Sequence, residues 1–210
     1  MLFSQSNRRR AMRIGVLGSG DVGGKIAKKL ASLGHEVMLG SPHAKDKADE
    51  FPGIALGSAS DAAQHGDWVV NAMEGAIALE ALKDCAIDGK IFVDIGNFES
   101  SIEGPLETPL GEAIQAAHPK TRLVKTLNNI SAHLMVDPGS LPQATTVFIA
   151  SNDDEAKAEV KDLLKTFGWT DIVDLGDLKA CRAMENMAAA WISIEKAVGG
   201  PNFNFSLVRR

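Results

Sequence analysis

The sequence predicts an α/β protein in which a doubly wound, mostly parallel sheet is followed by a short helical C-terminal extension. Short apolar runs rich in Val, Ile and Leu alternate with stretches of helical spacing from residue 12 onward, and strands that alternate with helices form mainly parallel sheets. A glycine-rich loop joins the first apolar run to the first helical stretch. Hydrophobic residues make up 45% of the 210 residues, which is enough for the core of a single domain.

The predicted elements follow one another along the chain. Residues 13–17 (RIGVL) form a buried-strand run, and the helix predicted at 22–33 has apolar residues at helical spacing and ends before Gly34. Further strands are predicted from short β-rich apolar runs at 35–39, 54–56, 68–72, 90–95, 122–127, 145–150 and 170–175. Further helices are predicted at 61–65, 76–85, 109–117, 153–167 and 178–198. These ranges give about eight strands.

Charge and composition exclude several classes of function. The formal net charge is −5, so we expect neither a nucleic-acid partner nor binding to an anionic membrane. No apolar stretch approaches the length that spans a bilayer. Cys85 and Cys181 lie far apart and form no CxxC pair, so we expect no metal, no disulfide scaffold and a reducing, cytoplasmic location. Tyrosine is absent, which removes every mechanism with a tyrosine acid.

The chain is predicted to consist of a short N-terminal tail and one folded domain. Residues 1–11 contain Arg8, Arg9 and Arg10 but no apolar stretch of signal-peptide length, so a disordered tail is predicted there. Residues 12–210 are predicted to form a single nucleotide-binding domain with its C-terminal helix and tail.

Residues 18–23 (GSGDVG) match the pattern G-x-G-x-x-G between a predicted strand and a predicted helix. Gly18 would permit the tight turn, Gly20 would let the backbone approach a pyrophosphate, and Gly23 would let the helix pack closely on the strand. The helix N-terminus supplies free N–H groups and a positive dipole end for the phosphates. This context predicts a dinucleotide-binding Rossmann domain rather than a plain glycine-rich turn.

The end of the second strand indicates which dinucleotide binds. An NAD site usually places an acidic residue about 20 residues beyond the glycines, but residues 39–45 (LGSPHAK) contain none before Asp46. Ser41 can donate a hydrogen bond to a 2′-phosphate, and Lys45, with His43, can balance its charge. NADP is therefore favoured over NAD, although His43 and Lys45 could equally be solvated loop residues.

Three further segments follow predicted strands, at the sheet edge where ligands of such folds bind. They are residues 71–75 (NAMEG), 94–98 (DIGNF) and 126–133 (TLNNISAH). The amides and hydroxyls of the last segment can orient a nicotinamide carboxamide and a second ring. Equally, Asn128 or Asn129 could cap a following helix.

Candidate acid–base groups near these strand ends are few, namely Glu74, Asp94, Lys125 and His133. Hydride transfer between two rings requires alignment more than a strong acid, whereas carbonyl reduction requires a proton donor. The small number of acid–base groups therefore favours hydride transfer between two rings. Some 60 residues follow residue 150, too few for a separate substrate domain. We therefore expect the second ligand to lie against the sheet, covered by a loop at residues 130–141 and by the C-terminal segment 199–210.

The sequence resembles the coenzyme F420-dependent NADP oxidoreductase family. The resemblance covers nearly the whole folded chain and is carried by residues 15–41, 125–135, 174–187 and 199–209. It implies hydride exchange between NADP(H) and a deazaflavin (F420) or flavin (FMN or FAD), on a compact domain that commonly dimerises. Reductase domains of the six-transmembrane ferric reductases look similar around residues 128–131 and pass electrons to a flavin.

Matched by position, the resemblance also implies roles for individual residues. Pyrophosphate contacts would come from Ser19, Gly20, Asp21 and Val22, and 2′-phosphate contacts from Ser41, His43 and Lys45. Ala72 and Met73 would lie along the cofactor, and residues 128–132 would lie beside the nicotinamide and the acceptor ring. This chain has Pro42 where relatives often have Arg, and Asn128-Asn129-Ile130-Ser131 where archaeal enzymes commonly have His-Thr-x-Pro. Arg182 and Glu185 match family positions, and we interpret them as an ion pair.

Three functions remain open at this point. The first is hydride transfer to a deazaflavin or flavin, with the candidate catalytic residues Asn128, Asn129, Ser131 and His133 and with Asn97 added to the cofactor site. The second is an imine or carbonyl reductase that uses His133 as proton donor. The third is an NADPH-binding sensor without turnover.

The last helix carries an apolar stripe at helical spacing, namely Met184, Met187, Trp191 and Ile194. We expect this stripe to lie either in the core or at the contact between the subunits of a homodimer.

Overall fold

The computed structural model describes residues 11–98 and 106–210. Its strands form one eight-stranded sheet in the order β3-β2-β1-β4-β5-β6-β7-β8. The strands are β1 Arg13–Leu17, β2 Glu36–Gly40, β3 Ala55–Gly57, β4 Trp68–Asn71, β5 Ile91–Asp94, β6 Arg122–Thr126, β7 Thr146–Ser151 and β8 Asp171–Asp174. The α-helices of the described residues are α1 Asp21–Ser32, α2 Ala59–His65, α3 Gly75–Ala81, α4 Leu110–Ala117, α5 Ala132–Val136, α6 Asp154–Phe167 and α7 Cys181–Val198.

In this strand order β1 is the strand from which the doubly wound sheet extends in both directions, through β2 on one side and β4 on the other. Leu17, the last residue of β1, lies opposite Gly40 of β2 and Asn71 of β4 in parallel pairings. Because the chain turns outward in opposite directions from β1, the loops after β1 and β4 flank the switch point at which such sheets bind ligands. The predicted doubly wound, mostly parallel α/β fold with a C-terminal helix is confirmed.

Successive side chains of each strand point to opposite faces of the sheet, and apolar side chains cover both faces. In β1, Ile14 and Val16 belong to a cluster with Ile26 and Leu30 of α1, and Leu17 faces the opposite side, where residues of α2 and α4 pack. Two faces covered by helices require strands that are apolar on both sides, which explains why the strand runs contain so few polar residues.

The last two strands reverse direction. Thr126 of β6 pairs with Ile149 of β7 in an antiparallel arrangement, so β7 begins at the edge where β1–β6 end. The C-terminal tail runs along this start, because the Thr146 N–H donates to the Phe205 carbonyl at 2.8 Å and Asn204 donates to Thr145. The tail is therefore held at the carboxyl edge of the parallel strands.

Two local features differ from the sequence prediction. Residues 130–141 were expected to be a loop, but they contain the five-residue helix α5. The last helix begins at Cys181, after a 3-10 turn at Leu178–Ala180.

Apart from Ala11, the tail predicted at residues 1–11 lies outside the described residues. None of the helices among residues 11–98 and 106–210 has the length and apolar character needed to cross a membrane.

Candidate functional site

The glycine loop leaves open space where a pyrophosphate would lie. Gly18 has a φ of +104°, which side-chain-bearing residues rarely adopt. A Cβ atom on Gly23 would lie 1.8 Å from the Gly18 carbonyl oxygen, whereas a Cβ on Gly20 would meet no atom within 4 Å. Gly23 is therefore required by the close approach of α1 to β1, and Gly20 leaves the approach to the N-terminus of α1 unobstructed.

Two serines connect this loop to the end of β2. Ser19 Oγ and Ser41 Oγ lie 2.6 Å apart, and Ser19 is 8% exposed. Lys47 Nζ donates to the Ser19 carbonyl at 3.1 Å. Lys47 was not among the residues predicted for the 2′-phosphate, which ended at Lys45. A second lysine in the same short segment was the available signal, because a 2′-phosphate carries more charge than one ammonium group balances.

The other polar residues of this region lie at its exposed rim. His43 Nδ1 lies 3.6 Å from a carboxylate oxygen of Asp46. Lys45 is exposed beside the start of α2, where hydrogen bonds to Ser58 lower the pKa of Asp61 and the charge of Lys45 lowers it further. Ser41 therefore faces the glycine loop, and His43 and Lys45 lie at the rim. Their binding of a 2′-phosphate stays a prediction.

Asp21 and Val22 open α1, and the side chain of Asp21 pairs with Lys25 on the outer surface of that helix. Val22 turns instead toward the cavity described below. After β4, the carbonyl of Ala72 lies close to Gly18, and the N–H of Met73 donates to the Asn71 side chain at 3.2 Å. These two residues therefore border the glycine loop across the switch point.

Backbone strain and a pair of amides shape the loop after β6. Leu127 has a φ of +62°, an outlier for a leucine. The next residue, Asn128, is joined to Asn97 by two hydrogen bonds: Asn128 Nδ2 donates to Asn97 Oδ1 at 2.9 Å, and Asn97 Nδ2 donates to the Asn128 carbonyl at 2.7 Å. This amide clamp, Asn97 with Asn128, fastens the loop after β6 to the loop after β5.

The clamp forms one wall of a cavity of about 230 Å³ between the start of α1 and the helix α7. Most of the cavity wall is apolar. The lining residues are Val22, Ile95, Asn97, Asn128, Asn129, Ile130, Met135, Ala188, Trp191 and Ile192. Asn128 Oδ1 and Trp191 Nε1 are buried without a hydrogen-bond partner among the described residues. A largely apolar concave lining that includes a few amide side chains has the character of a ligand site.

The remaining candidates of the loop contact the C-terminal part of the chain. Asn129 Nδ2 lies 3.4 Å from the sulfur of Met187, and Ser131 Oγ donates to the Pro201 carbonyl. His133 is partly exposed on α5 and is not among the residues that line the cavity.

The interpretation of Asn128 or Asn129 as a helix N-cap is wrong. The next helix begins only at Ala132, and its N-cap position belongs to Ser131, whose side chain makes no capping bond. The amides of the two asparagines are directed to the clamp and to α7 instead, and Asn128 Nδ2 also donates to the Met184 carbonyl at 2.9 Å.

A buried ion network lies behind the clamp. Lys125 Nζ lies 2.8 Å from Asp94 Oδ2 and 2.9 Å from Glu185 Oε1, and all three side chains have no solvent exposure. Asn71 Nδ2 donates to Asp94 Oδ1 at 2.8 Å, and Lys125 also donates to the Gly96 carbonyl. Burial by itself lowers the pKa of Lys125, but the two carboxylates outweigh it and raise the pKa, so the ammonium stays charged at neutral pH.

The predicted ion pair between Arg182 and Glu185 is wrong. Glu185 is directed into the core, where it binds Lys125 and accepts from the Leu110 N–H at 2.8 Å. Arg182 instead donates to main-chain carbonyls that include that of Glu107, at 2.7 Å. A lysine in the middle of an apolar strand was the signal for this network, because a buried ammonium requires a carboxylate partner.

Two other titratable groups near the strand ends have structural contacts. Glu74 is the N-cap of α3, and its carboxylate accepts from the N–H groups of Ala76 and Ile77. Burial raises the pKa of the Cys181 thiol to about 12, so it is protonated at neutral pH. Among the residues that the structure describes, no cluster of His, Cys, Asp or Glu could hold a metal ion.

A glycine loop at the switch point of a doubly wound sheet, with a ring-sized cavity beside it, is typical of the nucleotide-binding domain of an oxidoreductase. The family model described as NADP oxidoreductase, coenzyme F420-dependent, matches residues 13–98. The chain belongs to this family, and the resemblance seen in the sequence is confirmed.

Three relatives illustrate the similarity. A protein from Arthrobacter sp. FB24, provisionally named an F420-dependent NADP-reductase, has a crystal structure that is 40% identical, with a TM-score of 0.89 over 95% of this chain and 100% of that chain. The F420-dependent NADP reductase of Methanocaldococcus jannaschii is 26% identical over 87% of this chain and 92% of that protein. Metalloreductase STEAP3 of Rattus norvegicus is 29% identical over 84% of this chain and 36% of that protein. The chain therefore spans about a third of the STEAP relative.

Proposed function

We propose that this NADP-dependent oxidoreductase transfers hydride between NADP(H) and a deazaflavin or flavin ring. The observation that carries the proposal is the position of the cavity. It lies directly beyond the start of α1 and is lined by Val22 from the glycine loop and by Asn128 and Ile130 from the loop after β6. A dinucleotide whose pyrophosphate lies at the loop would have its nicotinamide within reach of this cavity.

The described residues fit NADP at the adenosine end as well. Gly20 leaves room for phosphates, and Ser41 would hold the 2′-phosphate with Lys47, whose ammonium already reaches the loop. His43 and Lys45 would add charge at the exposed rim. A single dinucleotide would thus extend from the end of β2 to the clamp.

The chain's own residues position the reactants rather than exchange protons with them. NADPH, when bound, supplies a hydride to the acceptor ring. Asn97 and Asn128 hold the loop after β6 beside the cavity, and Ser131 fastens the C-terminal tail to this loop through Pro201. Ile95 and Ile130 keep the lining apolar, which restricts water near the reacting ring. Alignment of this kind suits hydride transfer between two rings.

The relatives support the proposal in part. One is named for F420-dependent NADP reduction, which makes F420 the first acceptor to test. STEAP3 is named a metalloreductase, which makes a flavin the second acceptor.

The test measures NADPH oxidation by the purified full chain with F420, FMN or FAD. We expect turnover with F420 or a flavin, and a loss of at least about tenfold in kcat/KM for Asn128→Ala, because the clamp and its buried hydrogen bonds are removed. Asn186→Ala, at an exposed position of α7, is the matched control and should have wild-type activity. Tight NADPH binding without oxidation of any acceptor would favour the sensor hypothesis, and full activity of Asn128→Ala would remove the assigned role of the loop.

The proposal includes a homodimer in the cytoplasm, without a nucleic-acid or membrane partner. Both cysteines are free and buried, as in a reducing compartment. Of the stripe on α7, Met184 is fully buried and Trp191 lines the cavity, so a subunit contact would use other residues. Exposed apolar side chains near the C-terminus, Val198, Leu207 and Val208, are the candidate contact, and light scattering of the purified chain tests it.

A further inference from the structure

The buried ion network behind the clamp carries more negative than positive charge. Asp94 and Glu185 both bind the ammonium of Lys125, and the three side chains have no solvent exposure. Neither carboxylate has a second cationic partner among the described residues, and residues 99–105, between β5 and α4, contain no Lys, Arg or His. Two carboxylates that share one ammonium leave one net negative charge inside the protein.

The hydrogen bonds at the two carboxylates show that both are ionised. Asp94 Oδ1 accepts from Asn71 Nδ2 at 2.8 Å and from the Gly96 N–H at 3.1 Å. The oxygens of Glu185 accept from the first two N–H groups of α4, at 2.8 and 3.2 Å. A protonated carboxyl would require an acceptor for its own proton, and in the described part of the chain these side chains contact donors only.

This negative charge is only partly balanced. The N-terminus of α4 contributes a positive charge of about half a unit, and it already contacts Glu185. A buried charge without a full counter-charge lowers stability, and proteins keep such costly features chiefly at functional sites. The excess charge therefore requires a functional reason, and a positively charged ligand group nearby would provide one.

The network lies directly behind the wall of the cavity. Asp94 immediately precedes the wall residue Ile95, and Glu185 is three positions before the wall residue Ala188, on the same side of α7. From the spacing of neighbouring residues, a ring in or beside the cavity would lie roughly 10–14 Å from the carboxylates. At this distance the carboxylates act on a ligand through their charge and not through contact.

We propose that the buried charge raises the affinity of the site for NADP⁺ relative to NADPH, because only the oxidised nicotinamide carries a positive charge. This inference rests on the proposed binding of NADP(H). One charge at about 12 Å, in an effective dielectric of about 20, changes a binding constant by about tenfold. Transfer of a hydride, with both electrons of its C–H bond, to the acceptor ring leaves the nicotinamide positive, so the same charge favours oxidation of bound NADPH.

The test compares the dissociation constants of NADP⁺ and NADPH for the purified full chain by calorimetry. Glu185→Gln removes one negative charge and keeps the pair of Lys125 and Asp94. We expect the ratio of Kd for NADPH to Kd for NADP⁺ to fall about 3- to 10-fold in this variant. The matched control is Glu155→Gln, at a side chain that is 82% exposed. Solvent and salt screen that charge, so the ratio should stay at the wild-type value.

A second variant and a second ligand separate the charge effect from a disturbance of the fold. Asp94→Asn removes the same charge from β5 and should lower the ratio in the same way. The ligand 2′,5′-ADP, which lacks the nicotinamide, should bind both variants as it binds the wild type. Equal weakening of NADP⁺ and NADPH, or a ratio that stays constant or rises, would overturn the proposal. If the wild-type protein binds neither NADP⁺ nor 2′,5′-ADP, the proposed function itself fails.

Discussion

Replacing Lys125 with methionine would leave Asp94 and Glu185 buried without their shared cation. The ammonium lies 2.8 Å and 2.9 Å from these carboxylates, and none of the three side chains is exposed to solvent. Removing one partner of a buried ion pair costs about 3–5 kcal/mol. We expect Lys125→Met to lower the free energy of unfolding by about this amount at pH 7.

The assay is thermal unfolding of the variant and the wild type over a range of pH. The entropy of unfolding of a chain of this length is about 0.4 kcal/mol per kelvin near Tm. Dividing the expected loss of free energy by this entropy gives a fall in Tm of about 10 °C. The deficit should shrink toward acidic pH, because the carboxyls left without a cation can bind a proton and no longer carry an unpaired buried charge.

The matched control is Lys161→Met. Lys161 lies 2.7 Å from Asp174, but both side chains are partly exposed, and such a pair contributes under about 1 kcal/mol. A deficit for Lys125→Met as small as that of the control, or one that does not change with pH, would refute the account of the network.

Three further predictions concern separate features. Gly20→Ala should change the free energy of unfolding by under about 1 kcal/mol but weaken NADP⁺ binding at least about tenfold. Gly23→Ala should instead lower the free energy of unfolding by about 3 kcal/mol or more. Calorimetric titration measures the first effect and thermal unfolding measures the second. The thiol of Cys181, with its pKa raised to about 12, should remain unmodified by a thiol reagent at pH 8 until urea is added, as peptide mapping would show; rapid modification of the native protein would contradict its burial. The pKa of Asp153 is lowered chiefly by its hydrogen bond from Arg122, so its contribution to stability is lost as pH falls through about 4 and below; Asp153→Asn should flatten this acid-induced loss, and an unchanged acid profile would contradict the assignment.

Local patterns were sufficient to predict most of the secondary structure and the nucleotide loop. Helical spacing at 22–33 and the apolar run at 13–17 correspond to α1 and β1, because both faces of the sheet are covered and each element carries its own apolar signal. The glycine loop required only residues within one strand–turn–helix unit, which is why its geometry agrees with the roles assigned to Gly18 and Gly23.

What the sequence could not predict depends on contacts between distant residues. Lys125 and Glu185 are 60 positions apart along the chain, and their pairing exists only because α7 packs over the ends of β5 and β6. The same packing brings Trp191 to the cavity and directs Glu185 into the core, away from Arg182. The helix α5 is only five residues long, too short for an apolar period to be recognised.

The most direct test of the central claim is a titration of the purified chain with NADPH and with NADH. Ser41 and Lys47 at the end of β2, with no acidic residue there before Asp46, predict that NADPH binds tighter by at least about tenfold and that Lys47→Met removes much of this preference. Binding of neither nucleotide, or tighter binding of NADH, would contradict the assignment of the glycine loop and the β2 end as an NADP site.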